Sequence, residues 1–544
     1  MNIKILAAAF LLIFFILTLT SALRTSGTCD EIAHHIPVGC ILLSKWDFKM
    51  DTSQPPLARY IIALPLKIFM KINLPEDKNE WRREDRASFG RDFFYKYNIY
   101  PKKMILLARI PIMLIGIMCG LLLFAWASSV YGERAGLFSL FLYCFSPTVI
   151  AHAGLATTDM AATFFIFLSI YAFWKFIESP AFKNIIFAGI TLGLAQLSKY
   201  NAVLLYPIFS LLLFLEFWVL KKQKHGVLKK FIFIILVSLL LTWAGYGFDS
   251  QPILKDTMRA GEKFQIVSGF LSRMPFLSGI IDVNKILLTT PFPLGAHILG
   301  LLGIFRHSHE GHATFFFGNW SGQGNIFYFL TAFIIKNPLP MLILLLTGLF
   351  IAFEDGIKRI ERVILITVAI FFAVSSLGNL QIGIRHILPL FPLCFMIAGR
   401  SEELISRKFF KILIAVLIIW HTAVSLVTWP DYIGYFNGLV GGSKNGYKIL
   451  RDSNVDWGQD LPALSSYMRD NNVGEVVLDY FGQADPAVYG VRYRKFQTEE
   501  LKRPKDAVYA VSAQNLEGIY WTKDFKPTII AGSSIFIYDL TKER

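Results

Sequence analysis

Two adjacent carboxylates near the start of the chain are the first residues whose types and spacing suit chemistry. Asp30 and Glu31 follow an apolar run at residues 3–23, and His34 and His35 stand within about one helical turn of them. A carboxylate at the edge of the hydrocarbon region is costly to ionise, so its pKa tends to rise, which suits a general base. The alternative is a pair of solvated loop acids. The histidines and the membrane boundary favour a functional role for at least one acid.

Carboxylates and imidazoles are also metal ligands, so the acids and histidines of this loop allow a metal site. Their spacing reproduces no known ligand pattern, and a general base is the preferred interpretation. The sequence therefore assigns no metal ligand, and a divalent metal stays an open alternative as a cofactor.

A second acid, Asp159, opens a strongly apolar segment in the sequence ATTDMAATFF. A carboxylate in the first turn of a helix also has a structural role, because it interacts favourably with the helix dipole. The topology derived below places Asp159 at the same membrane face as Asp30. The sequence supports a shared site and the structural role equally.

Several cations fall at the same face as these acids. Lys199 stands between two apolar runs, Arg385 and His386 share a short loop, and Arg109 lies near the start of another run. A cation at this depth is costly unless it is paired, so it marks an anionic ligand or a carboxylate partner. The alternative is snorkelling to the interface, which is stronger for Arg109 than for Arg385. A lipid-linked phosphate suits such a cluster, with arginine making bidentate contacts.

The long segment before the eighth apolar run contributes EGHATFFFGNWSGQGN, residues 310–325. His312, Asn319, Trp320 and Gln323 are residue types that bind sugars by stacking and hydrogen bonding. Aromatic residues at a membrane interface equally form an anchoring belt. We expect His312 to contact substrate.

These residues must be positioned by membrane helices, because 54% of the 544 residues are hydrophobic and 17% are charged. Several apolar runs reach the length that crosses a bilayer, about 20 residues. The net charge of +15 is explained by basic cytoplasmic loops, and no basic and aromatic alternation indicates nucleic acid. The sequence predicts a polytopic membrane protein with about eleven spans: 3–23, 104–127, 134–150, 158–177, 184–198, 200–220, 231–248, 338–353, 362–379, 387–399 and 409–428.

The distribution of Lys and Arg predicts the orientation of these spans. With Lys4 inside, the basic loops 221–230, 354–362 and 400–411 all fall in the cytoplasm. The loops 24–103 and 249–337 then lie outside, together with everything after residue 429. The first run is long for a signal-peptide core, so we expect it to be retained as a helix.

The chain changes character at residue 430, where polar residues become frequent. Short alternating segments predict strands in GEVVLDYF, DAVYAVSA and TIIAGSSIFIYDL, and LPALSSYMRDN predicts a helix. We therefore expect a membrane module at 1–429, carrying the two outer loops, and an extracytoplasmic α/β domain at 430–544.

Seven motifs occur in a fixed order along the chain: DEIAHHIPVG, QPPLARYIIALPL, ATTDMAATFF, GLAQLSKYNAVLLYP, GHATFFFG…KNPLPMLILLL, IGIRHILPLFP and YFNGLVGG…DSNVDWGQDL. The ordered set resembles the bacterial phospholipid-carrier-dependent glycosyltransferases, relatives of the protein O-mannosyltransferases (glycosyltransferase family 39-like) with the GT-C fold. The resemblance extends to about Leu461. One departure is Gln54, where the family often has His before Pro-Pro-Leu.

The resemblance implies roles for residues already selected on physical grounds. Asp30 matches the base that deprotonates the acceptor hydroxyl, with Glu31 beside it, and Asp159 matches a second outer acid. All three acids are therefore expected to be catalytic. Basic positions that hold the donor phosphate are matched by Lys199, Arg385 and His386. His34 completes the expected substrate-binding set together with His312.

The resemblance also implies the reaction. A hexose or pentose would pass, with inversion, from a polyprenyl-phosphate carrier to an acceptor hydroxyl on the outer face of the bacterial plasma membrane. The expected partners are the lipid-linked donor, membrane lipids and a protein, lipid or glycan acceptor, but not nucleic acid. No cofactor other than the donor substrate is firmly implied. The alternative is a transporter or flippase for a lipid-linked or anionic substrate, which also uses intramembrane charges.

Overall fold

The computed structural model describes residues 2–48, 50–82, 85–219, 226–252, 290–406 and 408–541. Four predicted loops are therefore described in part. The residues that lie outside the described ranges are 49, 83 and 84 of the loop 24–103, 221–225 of the basic loop 221–230, 253–289 of the loop 249–337 and 407 of the loop 400–411.

Long apolar helices dominate the described part of the chain. Seven of them are long and apolar enough to cross a membrane, and two bent helix pairs raise the number to nine. The seven are Ile3–Ala22, Pro101–Tyr131, Thr158–Glu178, Tyr200–Phe217, Val227–Gly245, Arg359–Leu377 and Lys408–Thr428. The bent pairs are Glu133–Cys144 with Pro147–Ala153, at 67°, and Tyr328–Ile335 with Leu339–Glu354, at 111°. This architecture confirms the predicted fold class.

The other two predicted spans are also helical but shorter. Residues 184–198 fall in the 17-residue helix Phe182–Ser198. Residues 387–399 begin in a 3₁₀ helix, Ile384–Leu390, and continue as the α-helix Phe391–Gly399. Pro389 lies inside the 3₁₀ helix and lacks the N–H that an α-helical ladder requires. By length and composition, seven of the described helices qualify as spans, or up to nine if each bent pair is one span, and these two shorter segments fall below the required length.

The first outer loop is mostly helical. A π-helical turn, Glu31–His35, leads directly into the helix Ile36–Lys45. The helix Pro56–Phe69 follows, and it contains Pro65 and leaves Ile68 and Phe69 exposed. The loop also contains Lys78–Trp81, Arg86–Asp92 and the π-helical turn Phe93–Tyr97.

Within its described part, the second outer loop contributes a helix and two small antiparallel strand pairs. The helix is Gly295–Glu310. One strand pair consists of Ser250–Gln251 and Phe292–Pro293, and the other is the hairpin of Thr314–Phe316 with Asn319–Ser321. The helix Tyr328–Ile335 precedes Pro338 and bends sharply, by 111°, into Leu339–Glu354.

The C-terminal region forms a five-stranded mixed sheet beside the helix Leu461–Asp470. In spatial order its strands are Tyr493–Lys495, Val476–Asp479, Val508–Ser512, Ile535–Asp539 and Ile529–Ala531. The first three strands are parallel and the last two pairings are antiparallel. All three predicted strand segments and the predicted helix are present. The central strands Val508–Ser512 and Ile535–Asp539 are buried at every position, so both faces of the sheet are covered there.

Polar contacts join this region to the membrane helices. The Lys336 ammonium, at the bend between the two helices of the second pair, donates to the carbonyls of Ile433 and Asn454, both at 2.7 Å. The Ser21 hydroxyl, near the end of the first helix, donates to the Pro430 carbonyl at 2.6 Å. The C-terminal segment is thereby fixed over the ends of the membrane helices.

Candidate active site

The first acid of the opening loop pairs with an arginine that is distant in sequence. The Arg385 guanidinium, at the start of the 3₁₀ helix Ile384–Leu390, donates to the Asp30 carboxylate at 2.7 Å. The Trp457 ring lies 4.3 Å from the same guanidinium and restricts its position. The Asp30 side chain is 26% exposed and that of Arg385 is 10% exposed. The pair is therefore accessible from one side.

This pairing overturns the expectation that Asp30 has a raised pKa. Burial does raise it, but Arg385 and the histidines at 35 and 34 outweigh burial and lower the pKa of Asp30 to about 2. The expectation was wrong because it considered the membrane boundary without the cation. In the resting protein Asp30 is a carboxylate engaged in an ion pair.

The second acid also pairs with a cation. Asp159 lies in the first turn of Thr158–Glu178, and Lys199 follows the last residue of Phe182–Ser198. The Lys199 ammonium donates to one carboxylate oxygen of Asp159 at 2.6 Å, and the Thr157 hydroxyl donates to the other at 3.0 Å. All three side chains are buried.

The two ion pairs form one candidate site because the helix Thr158–Glu178, which carries Asp159, packs against the 3₁₀ helix that carries Arg385. Burial lowers the pKa of the Arg385 guanidinium, but the carboxylates of Asp30, Asp159 and Asp452 raise it to a net value above its usual range. The structure thus brings together four residues that the sequence selected. It also places a third carboxyl group, that of Asp452, near Arg385, so the arrangement offers two cations and three carboxyl groups to a ligand.

Glu31 points away from this group and is fully buried against Arg109. Two hydrogen bonds of 2.7 Å join the guanidinium to the two carboxylate oxygens. The Glu31 carboxylate also accepts the backbone N–H groups of Thr28, at 2.8 Å, and Ala156, at 2.7 Å. Burial raises the pKa of Glu31, but these contacts lower it overall. Arg109 is therefore a paired internal cation, and the snorkelling alternative for it is wrong.

The histidines differ in their surroundings. His34 is partly exposed and lies 3.9 Å from Asp51. His35 is buried, and burial lowers its pKa to about 3. Burial, with Lys199 and Arg385 nearby, also holds the pKa of His386 well below its usual value. His35 and His386 are therefore neutral imidazoles at neutral pH.

His312 lies at the edge of the site rather than within it. Its ring contacts His307, with the two ring nitrogens 3.2 Å apart. It belongs to the hairpin segment, in which Trp320 reaches Glu517 of the C-terminal domain at 3.5 Å. The sugar-binding residue types at 310–325 are thus used partly to join this hairpin to the C-terminal domain.

A third buried acid, Asp51, was not predicted from the sequence. Its carboxylate pairs with Arg59 at 2.6 Å and with Arg86 at 2.7 Å. These contacts hold the helix Pro56–Phe69 and the helix Arg86–Asp92 against the opening loop. The sequence did indicate that such an acid exists, because Arg59 in QPPLARY lies in an apolar helix and therefore requires a carboxylate partner.

The segment Trp457–Gln459 fixes the opening loop just before Asp30. The Cys29 N–H donates to the Trp457 carbonyl at 2.9 Å, and the Ser26 N–H donates to the Gln459 carbonyl at 2.8 Å. The Ser26 hydroxyl donates to the Gly458 carbonyl at 2.8 Å. The sequence showed the motif DSNVDWGQDL but gave no sign of this pairing.

Metal ligation was the alternative for the opening loop. Within the described ranges, no group of three or more His, Cys, Asp or Glu side chains is arranged to hold a metal ion. Asp30 and Glu31 point to different arginines and therefore do not converge on a shared ligand position.

Comparisons with known proteins bear on the fold and on one part of the chain. Residues 102–243 match a family model described as dolichyl-phosphate-mannose-protein mannosyltransferase. No curated protein sequence matches the chain at a significant level.

Among solved structures, ArnT from Cupriavidus metallidurans in the apo state matches with 13% identity and a TM-score of 0.50, over 99% of this chain and 98% of that one. The same enzyme bound to undecaprenyl phosphate matches with 13% identity and a TM-score of 0.49, over the same shares of both chains. The apo oligosaccharyltransferase of Archaeoglobus fulgidus matches with 15% identity and a TM-score of 0.46, over 78% of this chain and 55% of that one.

The match to apo ArnT shows that the two chains share a fold along nearly their whole lengths. The chain is a multi-pass membrane protein of the GT-C fold, and residues 102–243 relate it to the protein O-mannosyltransferases. The resemblance found in the motif series is thereby confirmed.

Proposed function

We propose that this protein transfers a hexose or pentose, with inversion, from a polyprenyl-phosphate-linked donor to an acceptor hydroxyl. The observation that carries the proposal is the pair of ion pairs, Asp30 with Arg385 and Asp159 with Lys199, which meet through Arg385. The description of the matched family, which names a lipid-phosphate sugar donor, supports the same reaction class.

The cations receive the donor phosphate. The leaving group of such a donor is a phosphate that already carries charge, so its departure requires positive charge more than a proton. Arg385 supplies a planar donor fork and Lys199 a compact ammonium. His386, a neutral imidazole beside both, supplies a further hydrogen-bonding group.

The donor also activates the base. While Arg385 is paired with Asp30, the low pKa of that carboxylate makes it a weak base. A phosphate that binds Arg385 competes with Asp30 for the guanidinium, and loss of this partner raises the pKa of Asp30. The freed carboxylate then accepts the proton of the acceptor hydroxyl as the hydroxyl oxygen attacks the anomeric carbon. The C–O bond to the phosphate breaks on the opposite side.

The remaining acids have supporting roles. Asp159 holds Lys199 at the site and balances its charge until phosphate arrives. Glu31, whose two oxygens are already occupied by hydrogen bonds, positions the loop that carries Asp30. His34, partly exposed near Asp30, lies where it can contact the sugar or the acceptor.

We place the site on the extracytoplasmic face of the bacterial plasma membrane. The support is the predicted orientation, in which the basic loops lie inside and the loops carrying Asp30 and Arg385 lie outside. The division into a membrane module at 1–429 and an extracytoplasmic domain at 430–544 belongs to the same proposal.

The test uses the full-length protein in lipid nanodiscs with a panel of polyprenyl-phosphate-linked, radiolabelled hexoses and pentoses. Extracted cell-envelope material serves as acceptor. We expect label to become covalently bound to the acceptor while free polyprenyl phosphate is released in equal amount. In sealed vesicles, movement of the labelled lipid across the bilayer without covalent transfer would instead establish the transporter alternative.

A further inference from the structure

A large cleft separates the opening loop from the C-terminal sheet. It has a volume of about 780 Å³ and lies at the carboxyl end of the strand Val476–Asp479. Arg91 and Tyr95 of the first outer loop, residues 24–103, form one wall, and the strand Tyr493–Lys495 contributes to the other. In sheets with parallel strands, ligands bind in the crevice beyond the carboxyl ends of those strands. The volume lies within the range of small-ligand sites, about 300–1,000 Å³.

Aromatic rings line this cleft, and hydrogen bonds hold two of them. The Tyr95 hydroxyl accepts the Asp485 N–H at 3.1 Å, and the Tyr480 hydroxyl donates to the Gly458 carbonyl at 2.5 Å. Tyr493 and Phe496 complete the aromatic lining, and Tyr493 is 37% exposed. Fixed rings with exposed faces suit flat apolar surfaces such as the C–H faces of sugar rings, because little side-chain entropy is lost on binding.

The polar groups of the lining are balanced in charge. Arg91 and Lys495 face Asp479 and Asp485, which gives two cations and two anions. The amide of Gln483 lies among them and accepts a hydrogen bond from Arg91. Such a lining offers donors and acceptors to hydroxyl groups without selecting for a strongly charged ligand.

The inner end of the cleft reaches the candidate active site by two routes. Gln483 lies near the thiol of Cys29, the residue immediately before Asp30. Tyr480 hydrogen-bonds Gly458, the residue immediately after Trp457, whose ring lies against Arg385. A chain seated in the cleft therefore ends near the carboxylate to which we assign the acceptor proton.

We propose that this cleft binds the acceptor and that the acceptor is a neutral oligosaccharide. The inference rests on the proposed function, because only a transferase has an acceptor. Binding of the oligosaccharide to the cleft does not itself require catalysis. A peptide acceptor is disfavoured because the edge strand along the cleft is three residues long and offers few backbone hydrogen bonds to an added strand.

The test measures binding of the full-length protein in nanodiscs to an array of neutral and anionic oligosaccharides and to an array of peptides, without any donor lipid. The variant Tyr493→Ala removes one exposed ring of the cleft. Its matched control is Tyr520→Ala, in the same domain but outside the cleft lining, where the side chain is 67% exposed.

We expect saturable binding to neutral oligosaccharides, weakened about tenfold by Tyr493→Ala, as for an anchoring aromatic residue, and unchanged by Tyr520→Ala. Absence of oligosaccharide binding would overturn the proposal. Equal effects of the two substitutions, or saturable binding to peptides instead, would also overturn it. Because no donor is present, each of these outcomes is independent of the sugar-transfer assay, which tests the proposed function separately.

Discussion

Two neighbouring carboxylates in this protein have opposite surroundings. Asp30 is partly exposed and has one cationic partner, whereas Glu31 is buried and accepts hydrogen bonds at both oxygens. A phosphate ligand can reach the Asp30–Arg385 pair, but the Glu31–Arg109 pair is closed to it. In the proposed mechanism the two adjacent positions therefore differ, with a reactive role for Asp30 and a positioning role for Glu31.

Glu31→Gln tests this separation. Removing one charge from a buried ion pair leaves Arg109 uncompensated, at a cost of about 3–5 kcal/mol. We predict a lower thermal midpoint and less protein in membranes than for wild type. The control is Glu178→Gln, because Glu178 is 40% exposed in a surface pair with Lys175 and should change stability little. A Glu31→Gln protein that is as stable as wild type but inactive in transfer would make Glu31 catalytic.

Residue types and apolar context were enough to select Asp30, Asp159, Lys199 and Arg385 from the sequence. Their pairing was not predictable, because Asp30 and Arg385 are 355 positions apart and no local pattern links them. The direction of the Asp30 pKa shift was missed for the same reason. Membrane depth alone predicts a raised pKa, and the cation reverses it.

At the scale of elements, the site depends on segments that do not cross the membrane. The π-helical turn Glu31–His35 sends two consecutive acids in different directions, and such turns occur frequently at functional sites. The segment Trp457–Gln459 holds the chain before that turn through backbone hydrogen bonds. Apolar runs predict the membrane helices well, but the bends of 67° and 111° and these backbone pairings depend on tertiary contacts.

Trp457→Leu tests whether this segment positions Arg385. Loss of the ring frees the guanidinium from one side, and displacement of a catalytic group by about 1 Å costs on the order of 10²-fold in rate. We predict slower sugar transfer at normal protein levels, with weaker retention of the donor lipid. Trp420→Leu, on the helix Lys408–Thr428, removes a ring that is 42% exposed and should leave the rate unchanged. Equal rates for the two variants would contradict the positioning role.

For the whole molecule, buried carboxyls lie where the C-terminal domain meets the membrane module. Asp456 and Asp460 flank the segment that holds the opening loop, and both are buried. Burial, assisted by the nearby Asp460 carboxyl, raises the pKa of Asp456 to about 7, and burial also raises the pKa of Asp460. The folded protein therefore retains protons that the unfolded chain releases near pH 4.

This difference predicts how the two carboxyls contribute to the dependence of stability on pH. Between about pH 4 and pH 7 they bind more protons in the folded state than in the unfolded state, so their contribution to stability falls as pH rises, while the depressed pKa values of His35 and His386 contribute in the opposite direction. We therefore predict that the thermal midpoint of Asp456→Asn, relative to that of wild type, is higher at about pH 8 than at about pH 5. A relative midpoint that is the same at both pH values, or lower at about pH 8, would contradict the assignment.

The central claim is that Asp30 is the proton acceptor and that donor phosphate binds Arg385 in its place. The most direct measurement compares polyprenyl phosphate affinity and sugar-transfer rate in wild type and Asp30→Asn, both purified from membranes. We predict that Asp30→Asn binds the lipid at least as tightly as wild type, because Arg385 is no longer neutralised. Its transfer rate should fall by about 10²–10⁴-fold, the usual contribution of a general base. Turnover at the wild-type rate, or loss of lipid binding by this variant, would contradict the account.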